Sequence, residues 1–150
     1  GEPSECGKYL ACENGYIPLV HLSEVDKVTN SPADLAEQLI GTPYSWGGRG
    51  GDAIDCSGLV QLVFGLKGIS AARDTDMQQA DFGEELPAGE ALQRGDLVFF
   101  PGHVGIMADG DNIIHANAHW MAVAVEPLAD AAARFVEHDA PVVARKRVAL

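Results

Sequence analysis

Cys56, His103 and His115 are the side chains whose types and spacing suit covalent hydrolysis. Cys56 stands in Ile54-Asp55-Cys56-Ser57-Gly58-Leu59-Val60, between a glycine-rich stretch and an apolar one. That pattern places the thiol on the first turn of a buried helix. Unpaired N–H groups there favour negative charge and so favour a thiolate. A nearby imidazole would help more, by holding the thiol proton. The ordinary alternative for Cys56 is a buried structural thiol. The polar flanks Asp55 and Ser57, and the glycine run before them, weigh against it.

His103 follows Pro101-Gly102, and His115 lies twelve residues later across an expected hairpin turn. Register decides whether the two share a face. A two-residue turn at Gly110-Asp111 would set Ile106 against His115 and separate the histidines. A three-residue loop with a bulge sets Gly105 against His115, with His103 diagonal to it on the same side. The second option also gathers Val104, Ile106 and Ile114 on the other face, as a core requires. The expectation is therefore a three-residue loop, with both histidines facing the helix that bears Cys56. His103 is then the base and His115 the residue that orients it. Taken singly, either histidine would read as an ordinary hydrogen-bonded residue.

Tyr44 and Trp46 precede the glycine-rich loop. A tyrosine hydroxyl near the thiol could donate to a developing oxyanion beside the Cys56 N–H, although aromatic packing under the loop is the simpler reading. An Asp55 carboxylate pointing inward would raise the thiol pKa. It is better used pointing away, to hold a cationic group of the substrate.

These residues need elements to position them. Ser31-Pro32-Ala33-Asp34 opens a helix: an N-cap serine, proline at the first helical position and an acid in the first turn. Leu35, Ala36, Leu39 and Ile40 give it an apolar face, and Gly41 and Pro43 end it. The helix from about Ser57 to Leu66 is apolar nearly all round and should be central. Asp74-Thr75-Asp76 reads as the cap of a short helix through about Asp81. Strands are expected over Asp96–Phe100, Val104–Ala108, Ile113–Ala116, Met121–Val125 and Pro141–Val148, with a helix over Pro127–Phe135. Helices first, then antiparallel strands, is an α+β order rather than a βαβ one. In residues 7–22, Asn14-Gly15 between apolar residues predicts a hairpin turn. A two-stranded hairpin needs something to pack on. Ser23–Asn30 reads as a linker.

The 150-residue chain, with 47% hydrophobic residues, can form one ordinary domain with a core. Ten basic against 22 acidic residues, a net charge of −12, argue against nucleic acid or an anionic membrane surface as partner. No apolar run approaches the roughly 20 residues of a membrane span, so no membrane insertion is expected. No charged-then-apolar leader is read either, which favours a cytoplasmic location, with the cell envelope or periplasm as the alternative. Three cysteines make no disulfide framework, and Cys6 and Cys12 read as ordinary thiols.

The stretches GTPYSWGGRGGDAIDCSGLVQLVF and RGDLVFFPGHVGIMADGDNIIHANAH resemble, in order and spacing, the two signature blocks of the NlpC/P60 family of papain-like cysteine peptidases. The resemblance covers roughly residues 31–150. It implies an α+β fold with an antiparallel sheet packed against helices, the nucleophile at the N-terminus of the central helix. It implies Cys56 as nucleophile, His103 as base, His115 as orienting residue and Tyr44 near the oxyanion, with no cofactor. The implied substrate is a bacterial cell-wall peptide cleaved at the γ-D-glutamyl bond to a diamino acid such as meso-diaminopimelate. GKYLACENGYIPLVHLSEV is similar to the last hairpin of a bacterial SH3-like domain. Residues 1–27 are accordingly expected to be that hairpin and a linker before the catalytic domain. In the subgroup with such domains, Asp55 and Ser57 are similar to residues that bind the free amine of an N-terminal L-Ala. HANAHWMAVAVEPL, with His119, is similar to a segment bordering the substrate groove, and Trp46 is a further candidate for substrate contact. Such enzymes act on freed muropeptides in wall recycling. Only the last hairpin of the SH3-like domain is matched.

The expected activity is that of a cysteine endopeptidase on L-Ala-γ-D-Glu–diamino-acid peptides. An amidase or acyltransferase on the same scaffold is the alternative among enzymes, and a non-catalytic peptidoglycan-binding module the alternative outside them. Cys56, His103 and His115 could also ligate zinc, but their spacing is not that of a zinc motif.

Overall fold

The computed structural model describes residues 2–22, 30–50 and 52–149. The expected linker therefore lies, apart from Asn30, outside the described residues. The elements are β1 (Tyr9–Cys12), β2 (Gly15–Pro18), α1 (Pro32–Glu37), β3 (Arg49–Gly50), β4 (Ala53–Ile54), α2 (Cys56–Gly65), α3 (Thr75–Asp81), β5 (Glu84–Glu85), β6 (Leu97–Phe100), β7 (His103–Met107), β8 (Asn112–Asn117), β9 (Ala122–Pro127), α4 (Leu128–Glu137) and β10 (Ala144–Arg147). Six strands form one antiparallel sheet in the order β5-β10-β6-β7-β8-β9, and β1-β2 and β3-β4 form two small separate sheets.

Strand alternation divides the large sheet into two faces. Leu97, Phe99, Val104, Ile106, Ile114, Ala116 and Val123 point to one side, where they pack with Leu59, Val60, Val63 and Phe64 of α2 and with Ala33 and Ala36 of α1. Val98, Phe100, Met107 and Ile113 point to the other side, against Ala131, Leu128 and Phe135 of α4. The order of the elements read from the sequence holds, with ends shifted by up to three residues, and the short strands β3, β4 and β5 were not expected.

The expected N-terminal hairpin is present, with its turn one residue earlier than Asn14-Gly15. Cys12 pairs with Gly15, so the loop is Glu13-Asn14 and Gly15 begins the second strand with φ +150°. Asn14-Gly15 does not form the primed turn that its dipeptide suggests. Tyr16 and Val20 in this region are largely exposed.

Helix α1 starts as the sequence dictates. Ser31 Oγ accepts from Asp34 N at 3.2 Å, and the Asp34 carboxylate accepts from Ser31 N at 2.6 Å, a reciprocal capping box. Helix α2 is capped by Asp55, whose Oδ1 accepts from Gly58 N at 2.7 Å. Gly58 is where this helix meets the glycine-rich loop. A Cβ on residue 58 would sit 2.3 Å from Gly48 O and 2.9 Å from Asp55 Oδ1. Alanine would ordinarily favour a helix over glycine by up to about 1 kcal/mol. Here a backbone oxygen blocks it, and such overpacking costs about 1–3 kcal/mol or more. Gly58→Ala is expected to lower stability by about 2 kcal/mol in urea unfolding. An unchanged or raised midpoint would contradict the close approach.

Candidate active site

Cys56 is the first residue of α2 and His103 the first of β7, and both line one cleft of about 590 Å³. Tyr44, Trp46, Asp55, Ser57, Arg73 and Thr75 share its walls. A second cavity of about 460 Å³ adjoins it through Tyr44, Trp46, Gly102 and His103. His115, Asn117, His119 and His138 line this second cavity. The two form a groove passing over His103.

The three-residue loop is present: Ala108 N donates to Asn112 O at 2.8 Å across Asp109-Gly110-Asp111. The Asp109 carboxylate holds this loop by accepting from the N–H groups of Asp111 and Asn112, each at 2.8 Å. None of these residues adopts a left-handed bulge conformation. Ile106 pairs with Ile114, so Gly105 comes opposite His115 and the histidines share a face. Their rings touch: His103 Nε2 lies 2.8 Å from His115 Nδ1.

The shared face is not the expected one. Val104, Ile106 and Ile114 take the side covered by α2. The histidines therefore lie on the α4 side, and the His103 ring centroid is 4.8 Å from that of Phe135. Cys56, in the core on the α2 side, shares with His103 the lining of one cleft. Pairing between β7 and β8 stops at Ile106, and the Val104 N–H is directed to the Cys56 sulfur. The thiol thus sits where the two strands part, next along the chain from the imidazole.

Electrostatics set the resting protonation. Burial pushes the Cys56 thiol up, and the Asp55 charge adds to that. Hydrogen bonds from Thr75, Val104 N–H and Ser57 N–H oppose it without prevailing. Thr75 Oγ1 is 3.8 Å from the sulfur. Burial likewise pushes His103 down, to about 3, and the neighbouring His115 adds to this. Both shifts favour a neutral thiol and a neutral imidazole, against the direction that helix position alone gives. Burial also raises Tyr44, with the Cys56 and Asp55 charges contributing, so its phenol remains a donor.

Asp55 turns from the thiol as expected, but its acceptor sites are already filled. Oδ1 accepts from Gly58 N and from Arg73 Nη1 at 3.0 Å, with the Ser57 hydroxyl at 3.4 Å. Oδ2 accepts from Gly47 N at 2.8 Å and from Arg73 Nη2 at 2.6 Å. The Ser57 hydroxyl in turn accepts from Arg73 Nη1 at 2.8 Å. Asp55 thus holds a cation, Arg73, as part of the cleft wall. Removing the carboxylate would delete an N-cap, worth about 1 kcal/mol, and leave Arg73 unpaired. Breaking a buried pair costs about 3–5 kcal/mol, less where one partner stays partly exposed as Arg73 does. Asp55→Ala is expected to destabilise by about 3 kcal/mol. Adding Arg73→Met should recover part of that loss in a double-mutant cycle; full additivity would show the pair uncoupled.

Trp46 is largely exposed at the junction of both cavities, and His119 borders the second, its ring 4.8 Å from Trp120. Several residues of the site escaped sequence reasoning. Thr75 reaches the sulfur, although Asp74-Thr75-Asp76 read only as a cap, and the Asp74 side chain makes no cap hydrogen bond. Gln78 is buried and donates to Ser57 O at 3.0 Å. Glu126 is nearly buried and accepts from His115 Nε2 at 2.8 Å, Trp120 Nε1 at 3.1 Å and Arg134. Its signal was an acid among the alternating apolar residues of β9. Among the described residues, no group of His, Cys, Asp and Glu could hold a metal ion.

An antiparallel sheet packed on helices, with a cysteine opening the central helix beside a strand-borne histidine, is a papain-like α+β arrangement. The match to the family described as NlpC/P60 over residues 41–135 is decisive: the chain belongs to the NlpC/P60 family of peptidases and peptidoglycan hydrolases. It is 35% identical over 130 residues to the gamma-D-glutamyl-L-lysine dipeptidyl-peptidase of Bacillus subtilis, covering 71% of this chain and 43% of that protein. It is 34% identical over 97 residues to dipeptidyl-peptidase 6 of Lysinibacillus sphaericus, covering 65% of this chain and 35% of that one. The chain thus spans less than half the length of these relatives. Among solved structures, the peptidoglycan hydrolase RipB of Mycobacterium tuberculosis superposes with a TM-score of 0.62 at 25% identity, covering 89% of this chain and 75% of that one.

Proposed function

We propose that this chain is a cysteine-type peptidase that hydrolyses the bond between γ-D-glutamate and a diamino acid, meso-diaminopimelate, in peptidoglycan-derived peptides. The observation that carries the reading is the Cys56 thiol and the His103 imidazole on one cleft, the imidazole backed by His115 at 2.8 Å. The name of the Bacillus subtilis relative supports the γ-D-glutamyl bond. A free N-terminal L-Ala suits the cleft wall near Cys56, where Asp55, Asp74 and Asp76 outnumber Arg49 and Arg73. With Asp55 engaged by Arg73, Asp74 and Asp76 are the carboxylates left to face an ammonium.

Sγ attacks the γ-carbonyl carbon as its proton passes to His103. The oxyanion forms beside the first turn of α2, where the Cys56 N–H and the Tyr44 hydroxyl can donate. Collapse expels the diamino-acid amine, which takes the proton back from His103, and leaves a thioester. Water then attacks the thioester with His103 as base and frees Cys56. We place the activity in wall turnover or recycling, on freed muropeptides in the cytoplasm.

The test is digestion of L-Ala-γ-D-Glu-meso-diaminopimelate and its N-acetylated form, read by mass spectrometry. Release of L-Ala-γ-D-Glu and diaminopimelate from the free-amine peptide, with little from the acetylated one, is the expected result. Cleavage at another amide would sink the bond assignment. Equal cleavage of both would sink the amine requirement.

A further inference from the structure

We propose that Glu126, clamped by Arg134 and Trp120, is a positioning residue that determines which nitrogen of His103 offers its lone pair to Cys56. The proposal rests on the reading of Cys56 and His103 as nucleophile and base.

The argument is a count of donors and acceptors along one buried chain. By the β8–β9 register Ile113 faces Glu126 and His115 faces Ala124, so Glu126 is diagonal to His115 on the histidine face. Burial alone would raise its carboxyl. Hydrogen bonds from Arg134, His115 and Trp120 outweigh that and hold it ionised, near 2. An ionised carboxylate only accepts. His115 Nε2, at 2.8 Å from Oε1, must therefore carry a proton. Burial first of all pushes the pKa of His115 down, so the ring is neutral and its Nδ1 is a bare lone pair. His103 Nε2, 2.8 Å from that lone pair, must then donate. His103 is also neutral, so Nδ1 is its one unprotonated nitrogen, and it is the nitrogen left for the thiol. After proton transfer, Nε2–H still donates to His115, and no bond in the chain has to reverse. Reversing the first bond reverses all the others. If His115 donated from Nδ1, His103 would hold its proton on Nδ1 and could not act as base.

Arg134 and Trp120 make the assignment rigid. Trp120 Nε1 donates to Oε1 at 3.1 Å, and Arg134 Nη1 donates to Oε2 at 2.7 Å, with Nη2 on Oε1. Every partner of Glu126 is a donor, so an amide in its place sets an N–H₂ group against a donor. The charged or titratable groups facing the histidine pair are Glu126 from β9, Arg134 and His138 from α4, His119 and Tyr44 from loops, and Cys56 from α2.

Two measurements that need no peptide substrate test this, so a wrong substrate assignment leaves them intact. In the intact ¹⁵N-labelled chain at neutral pH, long-range ¹H–¹⁵N correlations should show Nε2–H and bare Nδ1 on both His103 and His115. Nδ1–H on either ring overturns the proposal, and no variant needs to fold for this result. Alkylation of Cys56 by iodoacetamide, followed at its own peptide by mass spectrometry, should slow about 10- to 100-fold in Glu126→Gln, the usual scale for losing an orienting outer partner. Glu126→Asp, which keeps the charge, should stay within a few-fold of the parent. The acid limb of alkylation should move to lower pH in Glu126→Gln, where His115 and His103 lose a negative neighbour. It should move to higher pH in Arg134→Met, where that neighbour is left unneutralised. A folded Glu126→Gln chain with parental alkylation rate and acid limb would show that Glu126 only fills space.

Discussion

Cys56→Ala is expected to reduce hydrolysis of L-Ala-γ-D-Glu-meso-diaminopimelate by at least about 10⁴-fold, to the background of peptide and buffer. Removing one member of a nucleophile–base set typically costs about as much as removing all of it. The hydroxyls on the cleft wall, Ser57 and Thr75, are far weaker nucleophiles than a thiol, and Ser57 is bonded to Asp55 and Arg73. The fold should survive the change. The side chain is small, it lies at the first turn of α2, and its contacts to Thr75 and the Val104 N–H are weak sulfur hydrogen bonds. Near-parental unfolding with loss of turnover is therefore the predicted combination. Cys56→Ser should be as inactive, because a buried hydroxyl is much harder to deprotonate than a buried thiol. Turnover within tenfold of the parent in either variant would move the nucleophile elsewhere.

His103→Gln is expected to cost about 10³- to 10⁴-fold in kcat/KM, since among the described residues His103 is the one imidazole lining the Cys56 cleft. The parent protein should also show an unusual pH dependence. His103 titrates near 3 rather than 6.5, because burial and then His115 disfavour its charged form. The neutral base is thus present throughout pH 5–8, and kcat/KM should show no inflection at the ordinary histidine range. Stability behaves differently. Between 6.5 and about 3 the unfolded chain binds a proton at residue 103 that the native chain does not. Stability from this group is complete above 6.5 and falls as pH drops, by about 1.4 kcal/mol per pH unit. His115, also pushed down by burial first, adds in the same direction. Acid inactivation should therefore track unfolding followed by circular dichroism. An acid limb at pH 6–7 in folded protein would mean that the resting state is a thiolate–imidazolium pair.

Helix starts and the sheet face of β8 were legible because local chemistry specifies them. Ser31-Pro32-Ala33-Asp34 carries every part of its capping box within four residues. The hairpin at Asp109-Gly110-Asp111 was legible because one residue of slip would put Ile114 on the opposite face from Val104 and Ile106. Asn14-Gly15 marked the hairpin, and the pairing of Cys12 with Gly15 places its turn one residue earlier, at Glu13-Asn14. The thiolate inferred from helix position has burial acting against it. A helix end supplies roughly a kcal/mol, and burial of the sulfur under Thr75 and β7 outweighs it, which no local pattern reports. Arg73 as the partner of Asp55 was not legible, because it lies 18 residues away along the chain and reaches the carboxylate only when the segment between α2 and α3 folds back.

By itself, the order of residues determined the α+β succession, the cysteine opening the central helix and the shared face of His103 and His115. These follow from periodicity and capping, which act over a few residues. Tertiary structure alone decided which helix covers the histidines, where the thiol passes the sheet, and that Glu126 and Arg134 stand behind the imidazoles. Those depend on which strand edges part and which layers stack. Contacts between layers are set by the packing of the whole chain rather than by any segment of it.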